Sequence, residues 1–184
     1  MILTRASNHL RNISRIRKYI SSQTAEILMH AFVTSRLDFC NSLLYGIPKH
    51  VLKRLQSVQN AAARVVTLAR KTDHVTPVLK ELHWLPVQER VIFNILLLTY
   101  KALNNLTPSY ISELVKLYIP SRNLRSSISN RLVNVSYNLK TYGFRAFSSA
   151  APALWNELPH NIRGCSSVNE FKRLVKSHLF RKAF

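Results

Sequence analysis

Side chains able to do chemistry are few in this sequence, and the scarce types are as informative as the plentiful ones. Two-metal and paired-carboxylate catalysis both require acidic groups that converge within a few ångströms. The aspartates are Asp38 and Asp73 alone, the six glutamates are scattered, and no Asp-Asp pair exists to hold a catalytic magnesium. Asp38 reads as a helix cap and Asp73 as a turn residue ahead of Thr76-Pro77. Cys40 lies among Leu37, Phe39, Leu43 and Leu44 and reads as a small buried hydrophobe, whereas Cys165 follows Gly164 in a loop and reads as exposed. His30, His83 and His178 fall on expected helices with no second ligand at metal spacing. Trp84 and Trp155 each precede a proline by a few residues and read as core packing at helix junctions rather than as base-stacking platforms. No catalytic set, metal site or cofactor is expected.

Positive charge is plentiful. Lysine plus arginine number 27 against 8 acids, a net charge of +19 over 184 residues, while apolar residues still make up 47%. That apolar share is enough for a folded core, unlike the composition of a disordered basic tail. With so few acids to neutralise it, the surface field must attract a polyanion, nucleic acid first and an anionic membrane surface second. The longest apolar run, around Val91–Leu98, is broken by Asn94 and followed by Lys101, too short to span a membrane. Two cysteines make no disulfide framework, which fits an intracellular, reducing home, nuclear or cytoplasmic. Arg5, Arg11, Arg15, Arg17 and Lys18, all ahead of the first acid Glu26, also resemble a mitochondrial presequence; the plainer reading is the first basic helix of a basic protein.

The elements that must position these residues are helical. Only three glycines occur, so phosphate-cradling glycine loops are excluded, and prolines stand where helices should begin. Leu10, Ile13, Ile16 and Ile20 mark a first amphipathic helix, Ser21 or Ser22 caps a second, and a third runs from near Asp38 to Gly46. The most regular segment is 48–68, with Pro48 at its first position, Leu52, Leu55, Val58, Ala62 and Val65 on one face, and Lys49, Lys53, Gln56, Asn60 and Arg64 opposite. Further helices are expected over Thr76–His83, Pro86–Asn104, Pro108–Tyr118 and Ser148–Glu157, then a last one opened by the capping box Ser167–Glu170. Between them, Ser121–Ser127 reads as a basic loop carrying Arg122 and Arg125, and Leu132–Val135 with Asn138–Lys140 as a short hairpin. The expected architecture is mostly α: a helical bundle over 1–118, an irregular basic and hairpin segment over 119–147, and C-terminal helices over 148–184 packed on the bundle, bearing Lys172, Arg173 and Lys176.

Five blocks carry a resemblance. HAFVTSRLDFCNSLLYG (30–46), LQSVQNAAARVV (55–66), the run 74–115 around ELHWLPVQERVIFNILLLTYKALNN, LKTYGFRAFSSAAPALWNELPHNIR (139–163) and FKRLVKSHLF (171–180) resemble, in order, the C-terminal region of reverse transcriptases from non-LTR (LINE-type) retrotransposons. In that family the magnesium-binding aspartates and the endonuclease lie upstream. The resemblance therefore implies a thumb and post-thumb piece alone, a remnant of a truncated element or a chain whose first methionine is internal. It implies that helix 48–68 is a duplex-facing thumb helix, with Lys49, Lys53, Asn60 and Arg64 at the matching polar positions. Phe144 departs from the pattern, standing between Gly143 and Arg145 where the family usually carries an acid.

Two functions follow as expectations. One is a non-catalytic remnant that binds RNA, DNA or their hybrid without sequence specificity, through Lys49, Lys53, Asn60, Arg64, Arg122, Arg125, Lys172, Arg173 and Lys176. The other is an inert or unstable fragment whose helices evolved to pack on a polymerase palm, the palm of an intact reverse transcriptase being its partner.

Overall fold

The computed structural model describes residues 2–120, 130–136 and 142–184, which are mostly helical. Arg122, Arg125 and the second limb of the expected hairpin lie outside the described residues. The chain divides into two compact units, one of residues 1–91 with 180–184, the other of residues 92–179.

In the first unit, α1 (Ile2–Ile16) is followed by a 3-10 turn, Arg17–Tyr19. Its buried stripe runs Ala6, Ile13 and Arg17, with Leu10 partly buried, and Ile16 lies exposed rather than in the core. α2 (Ser22–Met29) is capped by Ser21, whose hydroxyl accepts from the Thr24 amide at 3.1 Å. It passes without a break into a π-helical stretch, His30–Thr34, and then α3 (Ser35–Asp38). The sequence spacing explains the π stretch: the buried residues Ala25, Met29, Val33 and Leu37 recur every four positions. In a pure α-helix that spacing drifts by about 40° per step, and a wider turn takes up the drift and keeps the stripe facing inward.

This run corrects the expectation of a helix starting near Asp38, because Asp38 ends one. The chain then goes extended at Phe39 and left-handed at Cys40 (φ 51°), leaving only a 3-10 turn at Asn41–Leu44 before Gly46. Cys40 is consequently exposed, not the buried hydrophobe expected.

α4 (Lys49–Thr67) buries Leu55, Val58, Gln59, Ala62, Ala63 and Val66, and Leu52 and Val65 pack partly buried against the same core. Pro48 is its N-cap rather than its first helical residue. Its C-cap, Leu68, sits in the left-handed region (φ 59°) where glycine would be at ease. The orphan carbonyls of its last turn are satisfied from outside: Arg17 donates from Nε to the Val65 carbonyl (3.0 Å) and from Nη2 to that of Val66 (2.9 Å), and Ser22 donates to Val66 at 3.2 Å. α5 (Val75–Glu81) packs on α4, Trp84 is buried with its indole N–H on Glu26 at 3.1 Å, and α6 (Val87–Leu103) begins.

The second unit gathers Ile95, Leu96, Thr99 and Tyr100 of α6 with α8 (Phe147–Glu157), α9 (His160–Arg163) and most of α10 (Val168–Ala183). Its core is an aromatic stack in which Phe171 lies between Tyr100 (centroids 4.3 Å apart) and Trp155 (5.7 Å). The helix expected over Pro108–Tyr118 is only one turn, α7 (Ser109–Ser112). Beyond it Leu117 forms an antiparallel bridge with Leu132, through Tyr118 N–H to the Arg131 carbonyl (2.8 Å) and Val133 N–H to that of Lys116 (2.9 Å). Non-local pairing overrides the helical pattern there. The Asn156 amide extends the pairing, accepting from Leu132 N–H at 2.9 Å and donating to its carbonyl at 3.0 Å.

Candidate nucleic-acid interface

Two groups of exposed cations stand on regular helices, one in each unit. On α4, Lys49 and Lys53 sit one turn apart on the solvent side and border an open groove of about 420 Å³ with Gln56, Asn60, Val75 and Phe184. On α10, Lys172, Arg173 and Lys176 are exposed while Phe171, Val175 and Leu179 point into the core, which is the division that helical periodicity dictates. Ser167 caps this helix, its hydroxyl accepting from the Glu170 amide at 3.2 Å.

The rest of the α4 polar face is engaged within the fold. Gln56 donates to Gln59 (3.0 Å) and Asn60 (2.8 Å), and its own carbonyl oxygen accepts the Val87 amide at 2.8 Å, satisfying an orphan N–H at the start of α6. Gln59 donates to the Leu85 carbonyl at 2.8 Å. These amides lock the approach to α6 against α4. Arg64 reaches the Asp73 carbonyl at 3.0 Å, and the Asp73 carboxylate closes the turn by accepting from the Arg70 amide at 2.7 Å. Asn60 and Arg64 therefore support their own unit, while Lys49 and Lys53 project beyond it.

The acidic side chains are structural in the same sense. Asp38 takes a two-pronged contact from Arg90, with Nε at 2.8 Å, and a bond from Asn41 at 3.2 Å. Glu26 meets His30 at 3.5 Å as well as Trp84. Burial pushes the Glu89 carboxyl above its ordinary range against the opposing pull of Lys182, and Glu89 Oε2 is buried without a partner. Among the described residues no three of His, Cys, Asp and Glu converge as metal ligands would. Burial likewise raises the Cys165 thiol, which Glu170 reinforces and Arg173 opposes. Arg145, beside Phe144, keeps a buried Nε without a partner.

The sequence reading missed two buried arginines, Arg17 and Arg163. Arg17 carried a signal, since it continues the four-and-three spacing of Ala6, Leu10 and Ile13; Arg163, in a helix of one turn, carried none. No helix among the described residues is long and apolar enough to cross a membrane. Comparison with protein-family models, curated proteins and solved structures finds no match for this chain.

Proposed function

We propose that this chain is a non-catalytic nucleic-acid-binding protein, similar to the thumb and post-thumb region of a LINE-type reverse transcriptase, that grips RNA, DNA or hybrid backbones without reading sequence. The observation that carries the reading is the charge balance on this fold. Eight acids cannot neutralise 27 cations, and Lys49, Lys53, Lys172, Arg173 and Lys176 stand exposed on helices whose other faces are core. Such rows suit phosphates, which position a protein on a backbone without specifying bases. The test is fluorescence anisotropy with a labelled RNA–DNA hybrid, comparing the parent with a variant carrying Ala at those five positions. Exposed charges contribute little to stability, so the variant should melt like the parent and bind at least about tenfold more weakly at low salt. Equal binding would exclude these two rows.

A second reading, a helical unit that packs on a polymerase palm, draws on the first unit's exposed apolar side chains, Ile27, Phe39 (69% exposed) and Leu43 (79%). Strong binding of a hydrophobic dye with no cooperative melt would favour it.

A further inference from the structure

Arg163, the last residue of α9, is only 8% exposed, and its Nε and Nη1 are both buried without a hydrogen-bond partner. It lines a cavity of about 170 Å³ in the second unit with Tyr100, Asn104, Asn130, Trp155 and Cys165. The other polar wall groups are tied to one another. The Tyr100 hydroxyl donates to the Cys165 carbonyl (3.0 Å), the Trp155 indole to the Asn130 carbonyl (2.7 Å), and the Asn104 amide to the Tyr100 carbonyl (2.8 Å). That leaves a pocket in which the buried unmet donors belong to a cation.

A buried charge without a partner is among the costliest groups a fold can hold, and folds that hold one supply a counter-charge. None comes from within: among the described residues no carboxylate pairs with Arg163, and segments 121–129 and 137–141 contain no acid. Burial depresses the Arg163 guanidinium, and Arg131 acts on it in the same direction, so a second cation adds to the positive potential of this space.

We infer that this cavity is a binding site for a phosphate group, which would accept from the unmet Arg163 donors. Phosphate fits because its several acceptor oxygens can take both unmet Arg163 donors at once while its charge offsets the buried guanidinium. The volume equals roughly five waters, enough for a tetrahedral oxyanion. The site shares no residue with the exposed cations of α4 and α10 and stands whether or not those bind nucleic acid.

The experiment is thermal unfolding of the full chain titrated with inorganic phosphate, ionic strength being held constant with chloride. A saturable rise in Tm is expected for the parent and none for Arg163→Met, whose melt in phosphate-free buffer should equal or exceed the parent's. No phosphate-specific rise in the parent, or an equal rise in Arg163→Met, overturns the inference. If Arg163→Met does not fold, Arg163→Lys decides, since it keeps the charge but loses the guanidinium's paired donors: a midpoint moved several-fold supports the site, and an unmoved midpoint overturns it. Short oligonucleotides with a 5′-phosphate or a 5′-hydroxyl then identify the source. A 5′-phosphate preference lost in the Arg163 variant assigns the end of a nucleic acid, and its absence alongside an intact inorganic phosphate response assigns a free oxyanion.

Discussion

Arg17 in the first unit and Arg163 in the second are buried to nearly the same degree, 9% and 8% exposed, yet they are opposite kinds of residue. Arg17 spends its nitrogens on the carbonyls of Ile20, Val65 and Val66, so its charge lies where the dipole of α4 ends and its donors are used. Arg163 holds Nε and Nη1 unmet at the wall of a cavity. Burial of a cation is therefore no sign of a site by itself. Arg64 and Arg145 also keep a buried Nε without a partner, so what sets Arg163 apart is two unmet N–H groups at the wall of a cavity.

The largest expected effect lies in that contrast. Arg17→Met should cost about 3 kcal/mol, since it strips carbonyl partners from the α4 terminus, whereas Arg163→Met in phosphate-free buffer should cost nothing or raise Tm. Denaturant melts of the two variants read this directly, and equal losses would erase the distinction. A smaller effect is expected at Gln56, another donor-and-acceptor hub of the first unit. Gln56→Ala leaves the Val87 amide unsatisfied and should cost about 1–2 kcal/mol, comparable to losing a helix cap; a variant within error of the parent would mean that water replaces the amide.

The smallest effect concerns Glu89, the acidic counterpart of Arg163, with a buried and unpartnered Oε2. Its folded-state pKa is raised above the ordinary 4.5 by burial, so the folded chain holds this proton more tightly than the unfolded chain. Stability should be greatest below that ordinary value and decline as pH rises from it through the raised folded pKa. Glu89→Gln should flatten this decline and raise Tm slightly at neutral pH. An unchanged pH profile would show that the carboxylate is hydrated.

Much of the fold was legible because its helices are spelled out locally. The Leu55–Val58–Ala62 stripe of α4, the Ser21 and Ser167 caps, and the buried face of α10 follow from spacing that any helix imposes. Misreadings cluster where distant partners decide. Asp38 looked like a helix start, but the stripe from Ala25 to Leu37 holds the helix together until Asp38 and turns Cys40 outward. The 108–118 segment has helical spacing, yet its end pairs with Arg131–Val133. Among the site residues, Lys49, Lys53, Lys172, Arg173 and Lys176 were readable as an outer face, because exposure follows from period. Asn60 and Arg64 were not separable from them, since the Gln56 network and the Asp73 turn that engage them form only in the folded chain. The partners of Arg17 lie 48 and 49 positions away, beyond the reach of any local pattern.

The nucleic-acid reading is tested most directly by the salt dependence of binding in the parent chain. Affinity for a hybrid duplex should be measured between about 50 and 200 mM salt, the range over which phosphate contacts are resolved. If the chain's basic side chains neutralise about six phosphates, log K should fall against log salt with a slope near −5, with little change between duplexes of different sequence. A slope near zero, or association absent even at the lowest salt, would contradict the claim that these basic side chains hold a nucleic-acid backbone.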